Sequence, residues 1–159
     1  MMKIELVVMG KLREKYLSEA ADEYIKRLSR FCDLKIKEIQ PEYLPDSPSD
    51  AQIDAALLKE AAKIEKAISK DSEIIALCVE GKQLSSEEFA ETVGDNENRG
   101  RPLCFVIGSS YGLHGSIKEK AAIRLSLSKM TFPHALFRVI LLEQIYRAFR
   151  INEGGTYHK

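Results

Sequence analysis

The sequence predicts an α/β fold: a three-layer sandwich whose mostly parallel sheet is covered by helices on both faces. Three observations point there. Strand-like and helix-like segments alternate along the chain. Residues 74–79 are apolar at nearly every position, the pattern of a strand with helices on both sides. Residues 103–107 are a further apolar run that passes directly into a glycine-bearing loop, as strands do at the ligand-binding edge of such sheets.

The elements follow in order. Residues 4–9 form an apolar run ended by Gly10 and read as a buried strand. Residues 14–30 carry Tyr16, Ala20, Tyr24, Ile25 and Leu28 at helical spacing. Leu34, Ile36 and Ile39 suggest a second strand. Pro41, Pro45 and Pro48 make residues 41–49 a loop, because proline continues neither a helix nor a ladder. Ser49 or Asp50 can cap a helix running to about Ser69, with Ile53, Leu57, Ala61, Ile64 and Ile68 on one face. Ser85 and Glu88 make a capping box for a short helix to about Val93, and residues 94–100 read as irregular and polar. After the strand at 103–107 come a two-turn helix over 116–122, a short strand around Leu125 and Leu127, and the longest helix, about 133–151, with Pro133 at its first position. Gly154 and Gly155 stop it. A chain of 159 residues suits a single domain spanning 1–159.

The last helix predicts a partner. His134 and Arg138 share one side, Glu143, Arg147 and Arg150 lie roughly opposite, and the surface between them is almost wholly apolar, from Leu136 and Phe137 to Ile145 and Phe149. That is more than one stripe to bury. The helix is either sandwiched within one domain or packed on its own sheet and on a second copy, and a homodimer is the expectation.

Composition narrows the function. Hydrophobic residues make up 45% and charged residues 30%, ordinary globular values that argue against disorder. Formal net charge is zero, so a nucleic-acid binder must concentrate its positive charge on one surface or gather it by dimerising. The chain is asymmetric in that sense. From Arg99 onward Lys and Arg outnumber the acids, which are only Glu119, Glu143 and Glu153. Cys32, Cys78 and Cys104 form no CxxC pair, and read as reduced, structural residues of a cytoplasmic protein. Lys3, Glu5 and Lys11 interrupt the N-terminal apolar run, so neither a signal peptide nor a membrane span is expected. His114, His134 and His158 lack metal-ligand spacing, and no metal is expected. Glu60, Glu65, Glu87 and Glu88 read as solvated helix faces, and no GxSxG, Walker A or dinucleotide fingerprint occurs.

Three segments can carry chemistry. Phe105-Val106-Ile107-Gly108-Ser109-Ser110-Tyr111-Gly112-Leu113 is a strand followed by a glycine loop, read either as a ligand loop or as an ordinary turn. Leu127, Ser128, Lys129, Met130, Thr131 and Phe132 connect a strand to the last helix. Ser128 and Thr131 suit a simple capping loop, whereas Met130 and Phe132 are apolar side chains that could line an adenine pocket or anchor the loop. The tail Thr156-Tyr157-His158-Lys159 is either frayed or an RNA-contacting set, with Tyr157 for stacking and His158 and Lys159 for phosphate.

Five strings carry a resemblance: Phe-Val-Ile-Gly at 105–108, Tyr-Gly-Leu-His at 111–114, Leu-Ser-Leu-Ser-Lys-Met-Thr-Phe-Pro-His at 125–134, Glu-Gln-Ile-Tyr-Arg-Ala at 143–148 and the terminal Tyr-His-Lys. With Gly10-Lys11 in the opening segment, the chain resembles the bacterial 23S rRNA pseudouridine N3-methyltransferases of the SPOUT superfamily over essentially its whole length. The resemblance implies a C-terminal trefoil knot, which rests on it alone because chains rarely thread themselves. It implies a homodimer with active sites at the interface, and S-adenosyl-L-methionine bound by Leu77, Gly108, Leu127, Ser128, Lys129, Met130, Thr131 and Phe132. The substrate implied is 23S rRNA within the 70S ribosome. His134 or Arg138, beside the cofactor loop, would act on the base or stabilise its anion, unless His134 merely caps its helix and Arg138 pairs with a carboxylate. Arg147, Arg150, Tyr157, His158 and Lys159 would contact RNA. Ser109 departs from the family, which has a second glycine there; if that position needs positive φ, the serine strains the loop. The rival readings are a SPOUT-type enzyme acting on tRNA and a ribosome-binding factor without activity.

Overall fold

A computed structural model describes residues 1–158. Five strands form one sheet in the order β2-β1-β4-β3-β5, and every pairing is parallel. The strands are β1 (Met2–Met9), β2 (Cys32–Ile39), β3 (Glu73–Gln83), β4 (Leu103–Ile107) and β5 (Ile123–Ser126). The helices are α1 (Lys15–Leu28), α2 (Asp50–Ala67), α3 (Ser86–Asn98), α4 (Gly115–Lys120) and α5 (His134–Asn152). The expected three-layer sandwich is present, and its strand order is consistent with the knotted threading that the resemblance implies.

Strand alternation builds the two cores. Ile4, Leu6, Val8, Leu103, Phe105 and Ile107 face α1, α3 and α5. Val7, Met9, Cys104 and Val106 face Ala61 and Ile64 of α2 and Ile117 of α4. All three cysteines are free and buried, and burial pushes Cys32 and Cys104 up to about 12, so these two thiols stay protonated. Ser49 and Ser85 both form complete capping boxes, with Gln52 and Glu88.

The structure corrects three boundaries. Residues 94–98 are helical, not irregular, because α3 continues to Asn98 along α5. Gly94 permits this: a Cβ there would lie 3.1 Å from Asn152 Nδ2, so glycine lets the two helices approach. Pro133 is the N-cap of α5, with ψ 143°, and not its first helical residue. The third strand does not end at Val79. It bulges between Leu77 and Lys82, both of which pair with Leu125, and runs on to Gln83. Gly81 sits in that bulge, where a Cβ would meet the Arg124 carbonyl oxygen at 2.6 Å.

One buried charge fastens the start of the sheet. Glu5 accepts from Lys37 Nζ (2.8 Å), Ser69 N (3.1 Å) and Ser69 Oγ (2.5 Å). Burial pushes its pKa up, but the hydrogen bonds from Lys37 and Ser69 outweigh that and hold the carboxyl below its usual 4.5. A depressed carboxylate contributes stability above its unfolded pKa and loses it as pH falls through the folded value. Glu5→Gln should therefore lower Tm at neutral pH and flatten the loss of stability below about pH 4.5, which a series of melting curves would check; an unchanged acid limb would count against this role.

Candidate active site

Four segments converge at the carboxyl ends of β3, β4 and β5 and enclose a cleft of about 320 Å³. The β3 bulge supplies Leu77, Cys78, Val79 and Glu80, and the loop after β4 supplies Gly108, Tyr111 and Leu113. Met130, Thr131 and Phe132 come from the loop after β5, with His134 and Phe137 from the first turn of α5. Most of these walls are apolar, and Val79, Tyr111 and Met130 are exposed at the site. The volume lies at the lower end of the range for small-molecule sites, about 300–1,000 Å³.

The loop after β4 is fixed by close backbone approach. Gly112 N donates to Ser109 O at 2.9 Å, and Gly112 takes the left-handed conformation at φ +86°. A Cβ on Gly108 would lie 2.3 Å from the Gly112 carbonyl oxygen, so only glycine fits. Ser109 is not strained. Among the described residues Asp71 is the only non-glycine with positive φ. Ser109 Oγ instead donates to Glu60 Oε1 at 2.8 Å.

Glu60 thus corrects the expectation of a solvated face. It is 4% exposed, and its other oxygen accepts from Glu42 N at 3.0 Å, so one carboxylate ties the cleft loop to the segment after β2. Glutamine can offer only one acceptor oxygen where two donors point. Glu60→Gln should cost about 1–3 kcal/mol of stability. A double-mutant cycle with Ser109→Ala should show a coupling on the order of 1 kcal/mol in cofactor affinity; strictly additive changes would mean that the clamp does not reach the cleft.

The loop after β5 closes on itself. Ser126 Oγ donates to Ser128 O (3.0 Å), and Met130 N donates to Ser128 Oγ (3.0 Å), which directs Met130 and Phe132 to the cleft. At the other wall Lys118 pairs with Glu80, and this hydrogen bond holds the Glu80 carboxyl below its usual range. Among the described residues no three His, Cys, Asp or Glu side chains come together as a metal site, and no helix is long and apolar enough to cross a membrane.

The profile of the family described as "Predicted SPOUT methyltransferase" matches residues 2–158. The chain belongs to the SPOUT methyltransferase family. It is 50% identical over 159 residues to a ribosomal RNA large subunit methyltransferase H of Clostridioides difficile, covering 99% of this chain and 100% of that one. Proteins of the same name from Clostridium kluyveri and Streptococcus equi are each 46% identical over 99% of this chain and 100% of their own. The crystal structure of a methylase-family protein from Neisseria gonorrhoeae superposes with a TM-score of 0.58 at 12% identity, over 99% of this chain and 87% of that one, and shares the fold.

In this SPOUT methyltransferase the sequence-derived residues fall into three groups. Leu77, Gly108, Met130, Thr131, Phe132 and His134 line the cleft together. Leu127 turns instead to a neighbouring pocket with Leu84, Phe89 and Ile140, Ser128 shapes its own loop, and Lys129 is exposed. Arg138 lies one turn beyond His134 and is 6% exposed. It donates to Glu38 Oε2 and to the Gly10 carbonyl, each at 2.9 Å. His134 retains more than a third of its surface, yet the protein around its ring desolvates it enough to lower its pKa below the usual 6.5.

As far as His158, the last described residue, the tail is neither frayed nor free. Arg147 donates to Glu143 (3.0 Å from Nε) and lies over the Tyr157 ring at 4.7 Å. Tyr157 donates to Glu143 (3.1 Å), and burial followed by that carboxylate pushes its pKa up to about 12. His158 contacts Glu87 at 2.7 Å, and Arg150 donates to the Tyr146 hydroxyl at 2.9 Å. Lys159 lies outside the described residues. Sequence reasoning missed the bulge residues Cys78, Val79 and Glu80. Gly81, two residues beyond the apolar run, was the available signal, since a glycine at a strand end can mark a bulge or a close backbone approach.

Proposed function

We propose that this protein transfers a methyl group from S-adenosyl-L-methionine to N3 of a pseudouridine in 23S rRNA, acting as a homodimer on the assembled 70S ribosome. The observation that carries the reading is the cleft itself. A glycine-tight loop, an apolar strand bulge and the loop before α5 meet at the carboxyl edge of a parallel sheet in a chain of the SPOUT methyltransferase family. The relatives named as ribosomal RNA large subunit methyltransferases support rRNA as the substrate.

The residues present fit the cofactor. Leu77, Leu113 and Phe132 offer apolar walls for an adenine, and Gly108 lets backbone approach closely. Leu127, Ser128 and Lys129 act by holding Met130, Thr131 and Phe132 in place. Bound there, the cofactor supplies an electrophilic methyl group on a sulfonium.

The chain's own residues hold the reactants together, exclude water and move one proton. Pre-alignment of two bound reactants is the largest contribution. His134, at the cleft, accepts the N3 proton as the new N–C bond forms, and partial desolvation of its ring favours the neutral imidazole that this role requires. Arg138 is a positioning residue: Glu38 and Gly10 engage its guanidinium, which fixes the start of α5 against β1 and β2.

Arg147 stands 13 residues beyond His134 on the same helix, roughly 20 Å at 1.5 Å per residue. Arg147, Arg150, Tyr157 and His158 would therefore meet a base at the cleft from a second subunit, with Lys159 following them in sequence. Half-buried Leu136, Phe137, Val139 and Ile140 on α5 support such an interface.

The test is methyl transfer from labelled S-adenosyl-L-methionine to free 23S rRNA, bulk tRNA and intact 70S ribosomes, with nucleoside analysis of the product. N3-methylpseudouridine on ribosomes is expected. Label on tRNA alone would overturn the substrate, and no label on any RNA would overturn the reaction.

A further inference from the structure

We propose that the loop after β1, with Lys11, Arg13 and the adjoining Tyr16 at the start of α1, is the surface that holds the sugar–phosphate backbone of the RNA beside the cleft, an inference that rests on RNA being the substrate. Three observations carry it. The first is continuity. His134 lines both the cleft over β3 and β4 and a shallow furrow next to it, formed by Val8, Met9, Lys11, Ile107 and Arg138. The furrow holds only about 30 Å³, too little for a ligand of its own, so it reads as a track leading from His134 to the β1 loop.

The second is charge. Three cations around the cleft and along α5 are already neutralised, Lys118 by Glu80, Arg138 by Glu38 and Arg147 by Glu143, and only Lys129 of the loop after β5 stays exposed there among the described residues without a carboxylate partner. Lys11 and Arg13 are exposed, and among the described residues neither has a carboxylate partner within 4.0 Å. Lys15 is held only loosely, 3.8 Å from Glu19, with both side chains largely in solvent. A net-neutral protein that grips a polyanion must do so with charges its own acids have not claimed, and these lie at the edge of the track.

The third is the aromatic. Tyr16 is 70% exposed, in the first turn of α1 beside these cations. An exposed ring next to unpaired cations suits an unstacked base flanking the target, since base–aromatic stacking tolerates any sequence. The surface lies in the same subunit as His134, whereas Arg147, against which Tyr157 packs, stands roughly 20 Å away along α5. The backbone grip and the tail would therefore approach the target from different subunits.

The test compares Lys11→Gln, Arg13→Gln and their double variant with Lys66→Gln, which removes an exposed charge from the far turn of α2. Filter binding to protein-free 23S rRNA and KM for methyl transfer to 23S rRNA and to 70S ribosomes are measured over a salt series. Calorimetry gives S-adenosyl-L-methionine affinity, and thermal melting reports folding. The double variant should weaken RNA binding and raise KM about tenfold near 0.15 M salt, and flatten the slope of log affinity on log salt by about 1–1.5, two contacts at ~0.7 each. Cofactor affinity and Tm should match Lys66→Gln. Tyr16→Ala should weaken binding without changing the salt slope, and Tyr16→Phe should restore it. A double variant that binds RNA like Lys66→Gln overturns the proposal. So does a defect on 70S ribosomes with normal binding and KM on protein-free 23S rRNA, since the surface would then meet a ribosomal protein. A wild-type protein that methylates neither RNA would overturn the substrate reading instead, and filter binding would still decide the surface.

Discussion

His134→Ala should reduce turnover about a hundredfold or more while leaving S-adenosyl-L-methionine affinity within about twofold, the range expected for losing one general base. The side chain projects from the first turn of α5 at the junction of the cleft and the furrow, and its ring is partly desolvated. Desolvation disfavours the charged imidazolium, so the pKa moves down from 6.5. A base works only unprotonated. The turnover–pH profile should therefore rise through a pKa below 6.5 and be flat at neutral pH, and that acid limb should vanish in His134→Ala. His134→Gln, which keeps a polar side chain but cannot titrate, separates proton transfer from simple hydrogen bonding. Single-turnover kinetics between pH 5 and 8 would decide the matter, and unchanged turnover in both variants would remove His134 from the chemistry.

Gly108→Ala should raise the dissociation constant for S-adenosyl-L-methionine more than about tenfold, equivalent to ~1.4 kcal/mol, and lower stability by about 1–3 kcal/mol. The cause is contact distance and not φ. The new methyl group would sit 2.3 Å from the Gly112 carbonyl oxygen and 3.0 Å from Leu113 Cδ2. The obstacle is backbone held in a turn by Gly112 N to Ser109 O, and Ser109 is itself fixed by Glu60, so the strand or the loop must move. Gly112→Ala makes a useful contrast. Nothing lies within 4 Å of its added Cβ, and its penalty comes from φ +86° alone. Calorimetric titration of the cofactor with both variants would check this; normal affinity in Gly108→Ala would show that the loop is not part of the binding site.

Much of this protein is legible in its sequence. The fourth strand ran over Leu103–Ile107 as expected, the Ser85–Glu88 capping box was found, Ser49 of the two candidate caps closed α2, and the cleft gathered Leu77, Gly108, Met130, Thr131 and Phe132 from segments far apart in sequence. The misreadings share a cause. Residues 94–98 look like a loop in isolation, and their helix lies where α3 packs on α5, with Gly94 against Asn152. Glu60 looks like a surface acid because its partners Ser109 and Glu42 are 49 and 18 residues away.

The sequence by itself determined the alternation of elements, the parallel α/β class and the loops that line the cleft, because periodicity, caps and glycine signals act within a few residues. The tertiary structure alone decided that β3 bulges around Gly81 to wall the cleft and that Arg138 locks α5 to Glu38 and Gly10, 100 and 128 residues away. It alone decided, too, that Arg147 and Arg150 are engaged by Glu143 and Tyr146, while Lys11 and Arg13 have no carboxylate partner among the described residues. Those outcomes depend on which strands become neighbours and which charges they bring within hydrogen-bonding distance, and pairing across such separations is written in the topology of the sheet and not in any local stretch of chain.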